Sequence, residues 1–240
     1  MLATKDFIAA SIRRQARIRL LRIRFRRYLV LSEGLNAAYL RIYLREYKQA
    51  EALAARALEM SEKHQFPGVA ASSRCVLGQA RAHLGRATEG IALIRQGIAD
   101  MLEGGSRFSV SNFTAWMAAA QEREGAIVDA LETVEQALLA NPDELVHRPE
   151  IRKLRGELRL KQGDTELAEA DFCEAIALAQ KMGAKAWELR ASMSLAGILA
   201  KQGKRDEARA TLAEIYNWFT EGFDTADLKD AKALLDELGA

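Results

Sequence analysis

Three histidines are the first residues whose side chains could define a site, because imidazole binds metals and carries protons. His64, His83 and His147 are spread along the chain, and none has a Cys, Asp or Glu partner at the spacing of a metal motif such as His-Glu-x-x-His. This pattern favours surface or packing roles for all three. We therefore expect neither a metal nor another cofactor.

Nucleophiles and carboxylates give no stronger indication of catalysis. No serine lies in a Gly-x-Ser-x-Gly pattern, and neither Cys75 nor Cys173 has a histidine that the sequence shows to be positioned beside it. Carboxylate pairs such as Glu122 and Glu124 are common on helix surfaces. The sequence predicts that the protein is not an enzyme. It also predicts that both cysteines are buried in a reducing cytoplasm.

The N-terminal segment could bind polyanions. Residues 1–31 carry Lys5 and eight arginines against the single acid Asp6. Clustered guanidinium groups attract nucleic acid or an anionic membrane surface. Apolar residues occupy nearly every second position from Arg17 to Tyr28, which favours packing instead, so polyanion binding is the less favoured interpretation. A helix is expected here, and the candidate contacts are Arg13, Arg14, Arg17, Arg24 and Arg27.

The elements that would position any site follow a repeat of small residues. They recur about every 40 positions, each followed twelve residues later by a second small residue. Close helix crossings require small side chains, so this spacing predicts repeated helical hairpins. The turns of four hairpins contain Gly85, Gly125, Gly163 and Gly203, and Arg45 occupies the same place in the first. The small pairs are Ala38/Ala50, Gly78/Gly90, Ala118/Ala130, Gly156/Ala168 and Ala196/Ala208.

Five hairpins and a final helix can be placed on this repeat. The predicted helices cover about 33–46 and 47–63, 69–84 and 86–103, 108–124 and 126–140, 148–162 and 165–182, and 184–202 and 204–220. A capping helix follows Gly222, with Thr225 at its start and charged residues such as Asp230 facing outward. The aromatic residues between Tyr216 and Phe223 are expected to pack this helix against the fifth hairpin.

Composition is consistent with this plan. About half of the residues are apolar (49%), 28% are charged, and only three are proline. The sequence contains no run of eighteen apolar residues, so no transmembrane helix is expected. Arginines near the N-terminus interrupt any apolar core of a signal peptide. We therefore expect a cytoplasmic, all-α protein with a basic N-terminal segment at 1–32 and a helical repeat domain at 33–240.

The repeat unit is longer than the ordinary tetratricopeptide repeat (TPR) and resembles the TPR-like arrays at the C-termini of large bacterial signalling proteins. The last third is similar to the C-terminal region of predicted ATPase and class III adenylate/guanylate cyclase-type regulators. The matching segments are Arg155-Gly-Glu-Leu-Arg-Leu, Ala170-Asp-Phe, Trp187-Glu-Leu-Arg-Ala and Tyr216-Asn-Trp-Phe-Thr-Glu-Gly-Phe-Asp-Thr-Ala-Asp-Leu-Lys.

This resemblance implies a right-handed α-solenoid of about five TPR-like hairpins plus a C-terminal capping helix. In the family, such repeats follow a cyclase or winged-helix domain and an NTPase domain. The phosphate-binding pattern Gly-x-x-x-x-Gly-Lys-Ser/Thr is absent here. We expect the chain to be the repeat portion alone, with a cyclase or NTPase signalling protein as the partner that the resemblance suggests.

The first helices of such solenoids line a concave groove. Projection of the TPR positions onto this chain gives a set of candidate groove residues. This set lacks the combination of lysines and asparagines with which repeat proteins clamp the C-terminal carboxylate of a peptide, so that mode of recognition is disfavoured. The candidates are Tyr39, Ser72, Gln79, Asn112, Lys153, Glu157 and Arg190.

Three functional hypotheses follow. The first is a non-catalytic protein–protein interaction module in bacterial signalling. The second is a small-molecule effector sensor, whose groove would be flanked by Trp116 and Trp187. The third is polyanion binding through the arginine-rich N-terminus. A homodimer is left open, because no polar cap helix is evident on the N-terminal face of the repeats.

Overall fold

The computed structural model describes Arg26 and residues 28–141 and 144–239. Within these residues the chain forms eleven α-helices and no strand. Helix α1 includes residues 28–43. The others are α2 (Tyr47–Lys63), α3 (Pro67–His83), α4 (Ala87–Glu103), α5 (Val110–Arg123), α6 (Ile127–Ala140), α7 (Arg148–Gln162), α8 (Thr165–Met182), α9 (Lys185–Lys201), α10 (Arg205–Tyr216) and α11 (Ala226–Gly239).

The helices stack as an all-α solenoid of five hairpins closed by α11. From α2 onward, each helix packs against the next one along the chain. The odd-numbered helices also contact one another, α3 with α5, α5 with α7, α7 with α9, and α9 with α11. They therefore form one continuous inner layer, while the even-numbered helices form the outer layer. This confirms the predicted fold class and the positions of the predicted hairpins.

The hairpin turns use the left-handed backbone conformation at the predicted positions. Gly85, Gly125, Gly163 and Gly203 have φ angles of 84°, 83°, 94° and 81°. Glycine adopts this conformation without a Cβ clash, which explains its recurrence. Arg45 adopts it too, with φ of 61°. A side chain therefore stands where the other four hairpins have none, and its contacts are described below.

The small residues lie at the helix crossings, as predicted. The alanines of the register are fully buried, Ala38, Ala118 and Ala196 among them. In the second hairpin, a Cβ added to Gly78 would lie 2.6 Å from the carbonyl oxygen of Gly90. Helices α3 and α4 therefore approach so closely that only glycine fits at the crossing.

Some predictions for single side chains are wrong. Cys75 is buried, but Cys173 is exposed because it lies on the outer face of α8. Phe219 packs against the core with Tyr216, whereas Trp218 is 57% exposed and does not fix α11. Asp230 is 51% exposed, as predicted, and it also forms an ion pair with Arg45 of the first hairpin.

The arginine-rich segment is largely outside the described residues. Arg13, Arg14, Arg17, Arg24 and Arg27 all fall there, so their role in polyanion binding stays a prediction. The predicted helix is observed for residues 28–31 as part of α1. In the part of the chain that the structure describes, no helix is long and apolar enough to cross a membrane.

Candidate functional site: a cavity lined by the inner helices

The inner layer surrounds a cavity of about 470 Å³. Its wall combines the end of α1 and the turn after it with residues of α2, α3, α5, α7 and α9. Apolar contact comes from Ile42, Ala115, Ala119 and the ring of Trp116. Charged, amide and aromatic hydroxyl groups supply the rest of the wall. A cavity of this size and mixed character matches the usual range for small-ligand sites.

Five of the seven predicted groove residues lie together around this cavity: Gln79, Asn112, Lys153, Glu157 and Arg190. They come from four different hairpins and are brought together by the stacking of α3, α5, α7 and α9. Their role in binding stays a prediction, although the structure places them on one surface.

The other two predicted residues lie elsewhere. Tyr39 lies behind the wall, where its hydroxyl accepts a hydrogen bond from Asn112 Nδ2 at 2.7 Å and its ring packs on Trp116 with the ring centroids 4.9 Å apart. Ser72 lines a separate depression near the start of α3. Of the two tryptophans expected beside the groove, Trp116 lines the cavity. Trp187 instead packs edge-on against His147, with the ring centroids 5.8 Å apart.

The first hairpin and the last helix meet at the edge of the cavity. Arg45 Nη2 lies 2.9 Å from Asp227 Oδ1, and Arg45 Nη1 lies 2.5 Å from Asp230 Oδ2. Arg190 of α9 joins both sides, because its Nη2 donates to the carbonyl oxygen of Tyr43 at 2.9 Å and lies 2.6 Å from Asp227 Oδ2. We call these five residues the latch. It connects positions as much as 185 residues apart in the sequence.

The α7 side of the cavity contains a buried ion-pair network. Lys153 Nζ lies 2.8 Å from Glu157 Oε1 and 3.7 Å from Glu150 Oε1. Burial opposes the charge on Lys153, but the two carboxylates outweigh it and raise the pKa of the lysine. Lys153 is therefore a fixed positive charge whose partners are already in place.

The opposite side of the cavity is cationic. The ring of Tyr47 stacks on His83 with the centroids 3.9 Å apart and the planes 11° from parallel. Gln79 Nε2 and Arg123 Nη2 lie 3.3 and 3.4 Å from His83 Nε2. Both neighbours are donors, so this nitrogen is assigned as the acceptor of a neutral ring. We call Arg45, Tyr47, Gln79, His83 and Arg123 the cationic corner.

The protonation state of His83 agrees with this assignment. Burial, and then the charges of Arg123 and Arg45, lower the pKa of His83 to about 3. The ring is neutral at physiological pH. The corner therefore presents two guanidinium groups and an uncharged aromatic surface, an arrangement suited to holding a polar anion.

The sequence did not indicate most of this corner. Gln79 was predicted as a groove residue, and Arg45 carried a signal because it replaces the glycine of the repeat turn. Tyr47, His83 and Arg123 stand at ordinary helix positions, and only the curvature of the solenoid brings them together. In the described part of the chain, no group of three or more His, Cys, Asp or Glu side chains is placed to hold a metal ion.

Comparison with known proteins supports the repeat architecture. The family model of the MalT-like TPR region matches residues 35–234. No curated protein matches the chain. A thermophilic TPR protein of Thermus thermophilus is similar in structure, with 18% identity, a TM-score of 0.63, and coverage of 87% of this chain and 98% of that one.

Two similar structures carry sensor descriptions. The apo form of the quorum sensor NprR from B. thuringiensis is 15% identical, with a TM-score of 0.66 over 88% of this chain and 60% of that chain. A signal transduction ATPase with numerous domains (STAND) from Pyrococcus horikoshii, described with a tetratricopeptide repeat sensor, is 14% identical. Its TM-score is 0.64, and the match covers 85% of this chain and 32% of that protein. At these identities the similarity establishes the shared fold.

Proposed function

The chain belongs to the MalT-like TPR family, and from this premise we propose that it is a non-catalytic sensor module of a bacterial signalling system. TPR-like folds generally serve as protein-interaction or sensor modules. In our proposal an effector binds in the inner cavity, and the latch transmits its presence to the two ends of the array.

The latch is the observation that carries this proposal. An array that binds an extended peptide needs a groove open at its edges. Here Arg45 and Arg190 tie the first hairpin to α11 beside the cavity. The volume of about 470 Å³ falls in the range of small-ligand sites, which supports a compact ligand.

The latch is weak enough to be switched by a ligand. The Arg45–Asp230 pair is exposed, and such pairs contribute about 0–1 kcal/mol. The Arg190–Asp227 pair is better buried, with side chains 14% and 15% exposed. Effectors shift a two-state equilibrium by their difference in affinity for the two states, and coupling of about 1–3 kcal/mol is common. Binding energy of that size is comparable to the contribution of the exposed Arg45–Asp230 pair.

A protein partner would receive the signal on the outer surface, where α6 exposes large apolar side chains. Val128 and Leu139 are 61% and 75% exposed. Eleven residues are close to three helical turns, so both lie on the same face of α6. We propose that a cytoplasmic signalling protein, of the cyclase or NTPase class, binds this face.

Tryptophan fluorescence tests the sensor proposal, because Trp116 lines the cavity. The full chain is titrated with amino acids, neutral sugars, organic acids and short peptides. A ligand bound in the cavity should change the emission of the wild type and of Trp218→Phe, but not that of Trp116→Phe. Ala119→Phe places a ring in the cavity and should block the response while the helical circular dichroism is unchanged. If no compound of any class produces a response that Ala119→Phe removes, the sensor function is refuted.

A further inference from the structure

Helix α1 carries apolar side chains on two opposite sides, and only one of these sides is buried. Leu31, Ala38 and Ile42 are buried in the first hairpin. On the other side, Val30 and Leu40 are 67% and 58% exposed. A helix that is apolar all round is normally buried on every side. At 100° per residue the exposed positions fall within an arc of about 120°, which we call the outward face of α1. It consists of Val30, Glu33, Gly34, Ala37, Leu40 and Arg41.

The spacing on the outward face is that of helices that pair along a seam. Val30, Glu33, Ala37 and Leu40 follow one another at steps of three, four and three residues, and Leu44 comes four residues later in the turn. Alternating steps of three and four define the contact positions of coiled coils. Glu33 is the one polar residue of the five. The outward face thus has the pattern of a helix that packs lengthwise against another helix.

The equivalent face is buried in the next hairpin. The positions forty residues later on α3 are Ala70, Ser73, Leu77 and Ala80, and all four are buried. Helix α2, which belongs to the preceding hairpin, packs against α3. The described residues provide no such helix for α1, so its outward face stays exposed. A solenoid needs a polar surface at each end to remain a soluble monomer, and α1 does not supply one.

We propose that the outward face of α1 pairs with the same face of a second copy of this chain. The two α1 helices run antiparallel about a two-fold axis at Ala37. Gly34 and Ala37 are small, so the helix axes can approach closely at the centre of the seam. A Cβ added to Gly34 meets nothing within 4 Å, which leaves room there for a side chain of the second copy. This inference goes beyond the sensor function and does not depend on it.

The charges of the outward face favour the antiparallel arrangement. The axis at Ala37 places Glu33 level with Arg41 of the second copy, so that opposite charges lie near each other twice in the dimer. Arg41 also pairs with Glu46 of its own chain, but its side chain is 41% exposed and accessible. A parallel pair would instead bring Glu33 beside Glu33 and Arg41 beside Arg41. Such like-charge contacts disfavour the parallel arrangement.

Other parts of this chain fit the outward face less well. The C-terminal end of another copy presents the exposed ion pair of Lys232 with Asp236 on α11, so head-to-tail stacking would place these charges against an apolar surface. Residues 12–25 carry six arginines, and Glu33 is the single carboxylate of the outward face. A two-fold pair covers both N-terminal ends at once and forms a closed dimer.

Sedimentation equilibrium of the full chain tests this proposal. One helix from each copy makes a small interface, so we expect a reversible dimer with a dissociation constant of about 1–100 μM. A chain that remains monomeric up to about 500 μM overturns the proposal, because the outward face would then have no affinity for itself.

One substitution places the interface on α1. Leu40→Glu puts a carboxylate into the seam and should raise the dissociation constant about 100-fold or more. Leu167→Glu is the matched control, because Leu167 is 51% exposed on α8. This control should dimerise as the wild type does, and both variants should keep the helical circular dichroism of the wild type. A dimer that Leu40→Glu does not weaken refutes the role of α1.

Cysteine cross-linking tests the antiparallel arrangement. The variants carry Cys173→Ser, because Cys173 is exposed, whereas Cys75 is buried and is retained. Ala37→Cys should form a disulfide-linked dimer under mild oxidation, since the axis passes through this position. The two copies of Val30 would lie about 21 Å apart along the seam, so Val30→Cys should not. Absence of the Ala37→Cys cross-link, or an equally fast cross-link in Val30→Cys, refutes this arrangement.

Discussion

Replacement of Gly78 by alanine tests the close crossing of α3 and α4. The added Cβ would lie 2.6 Å from the carbonyl oxygen of Gly90 and 2.7 Å from Ile94 Cγ1. Ile94 can change its side-chain conformation, but the carbonyl belongs to the backbone of α4. The two helices must therefore separate by several tenths of an ångström, which disturbs the packing along their full length.

Two opposing effects set the size of the loss. Overpacking of a core contact costs about 1–3 kcal/mol. Alanine in place of a helical glycine recovers about 0.5–1 kcal/mol through reduced backbone entropy in the unfolded chain. We expect Gly78→Ala to lower the free energy of unfolding by about 1–2 kcal/mol net.

Gly197 provides a matched control. It lies inside α9, and a Cβ added there meets nothing within 4 Å. Gly197→Ala should therefore raise the free energy of unfolding by about 0.5–1 kcal/mol. Urea unfolding followed by circular dichroism, with hydrogen exchange of α3 and α4 to detect partial unfolding, measures both variants. If Gly78→Ala were as stable as Gly197→Ala, close helix approach could not explain the small residues of the repeat.

Three further predictions concern charged groups. Arg155→Met removes a partner of Asp171, whose side chain is 2% exposed. The variant should lower the free energy of unfolding, measured in urea, by about 2–3 kcal/mol. An unchanged value would contradict a structural role for the pair. Burial, followed by two nearby arginines, lowers the pKa of His83 from 6.5 to about 3, so the unfolded chain binds more protons below pH 6.5. The free energy of unfolding should then fall on acidification from about pH 6.5 towards pH 4, and this residue contributes up to about 1.4 kcal/mol per pH unit to the fall. Urea unfolding at several pH values measures the effect, and the fall should be shallower in His83→Phe. Arg45→Gly relieves the left-handed backbone strain but removes exposed ion pairs, so the free energy of unfolding should change by less than about 1 kcal/mol. Amide hydrogen exchange in α11 should nevertheless become faster. The same faster exchange is expected for Asp230→Asn.

The helices were predictable because their signals are local. A glycine with positive φ marks the turn of most hairpins, and two small residues twelve positions apart mark the point where its two helices cross. Each hairpin is therefore specified within about 40 residues. Helix α8, predicted at 165–182, is observed at Thr165–Met182. Prediction was poorer where burial was inferred from residue type alone, as at Cys173, which lies outside the buried stripe of Phe172 and Ala175.

The site was only partly predictable because it depends on distant contacts. Gln79 and Asn112 lie on the inner helices of successive hairpins, so the repeat alone indicated that they share a surface. The contact of Arg45 with Asp230 spans 185 residues. It depends on the rotation between repeats, added over five hairpins, and small changes per repeat would separate the two side chains. No local sequence pattern specifies this accumulated rotation.

Departures from the repeat carry the functional information of this chain. Four of its five hairpin turns use glycine at the left-handed position, and the turn of the first hairpin has Arg45 there at a cost of about 1 kcal/mol or more. A structural role within its own hairpin would not require that side chain, because glycine serves the other four turns. The guanidinium of Arg45 instead lies between the cavity and two aspartates of α11. The side chain of Arg45 thus links the interior of the solenoid to its last helix, which is the connection that a sensor requires.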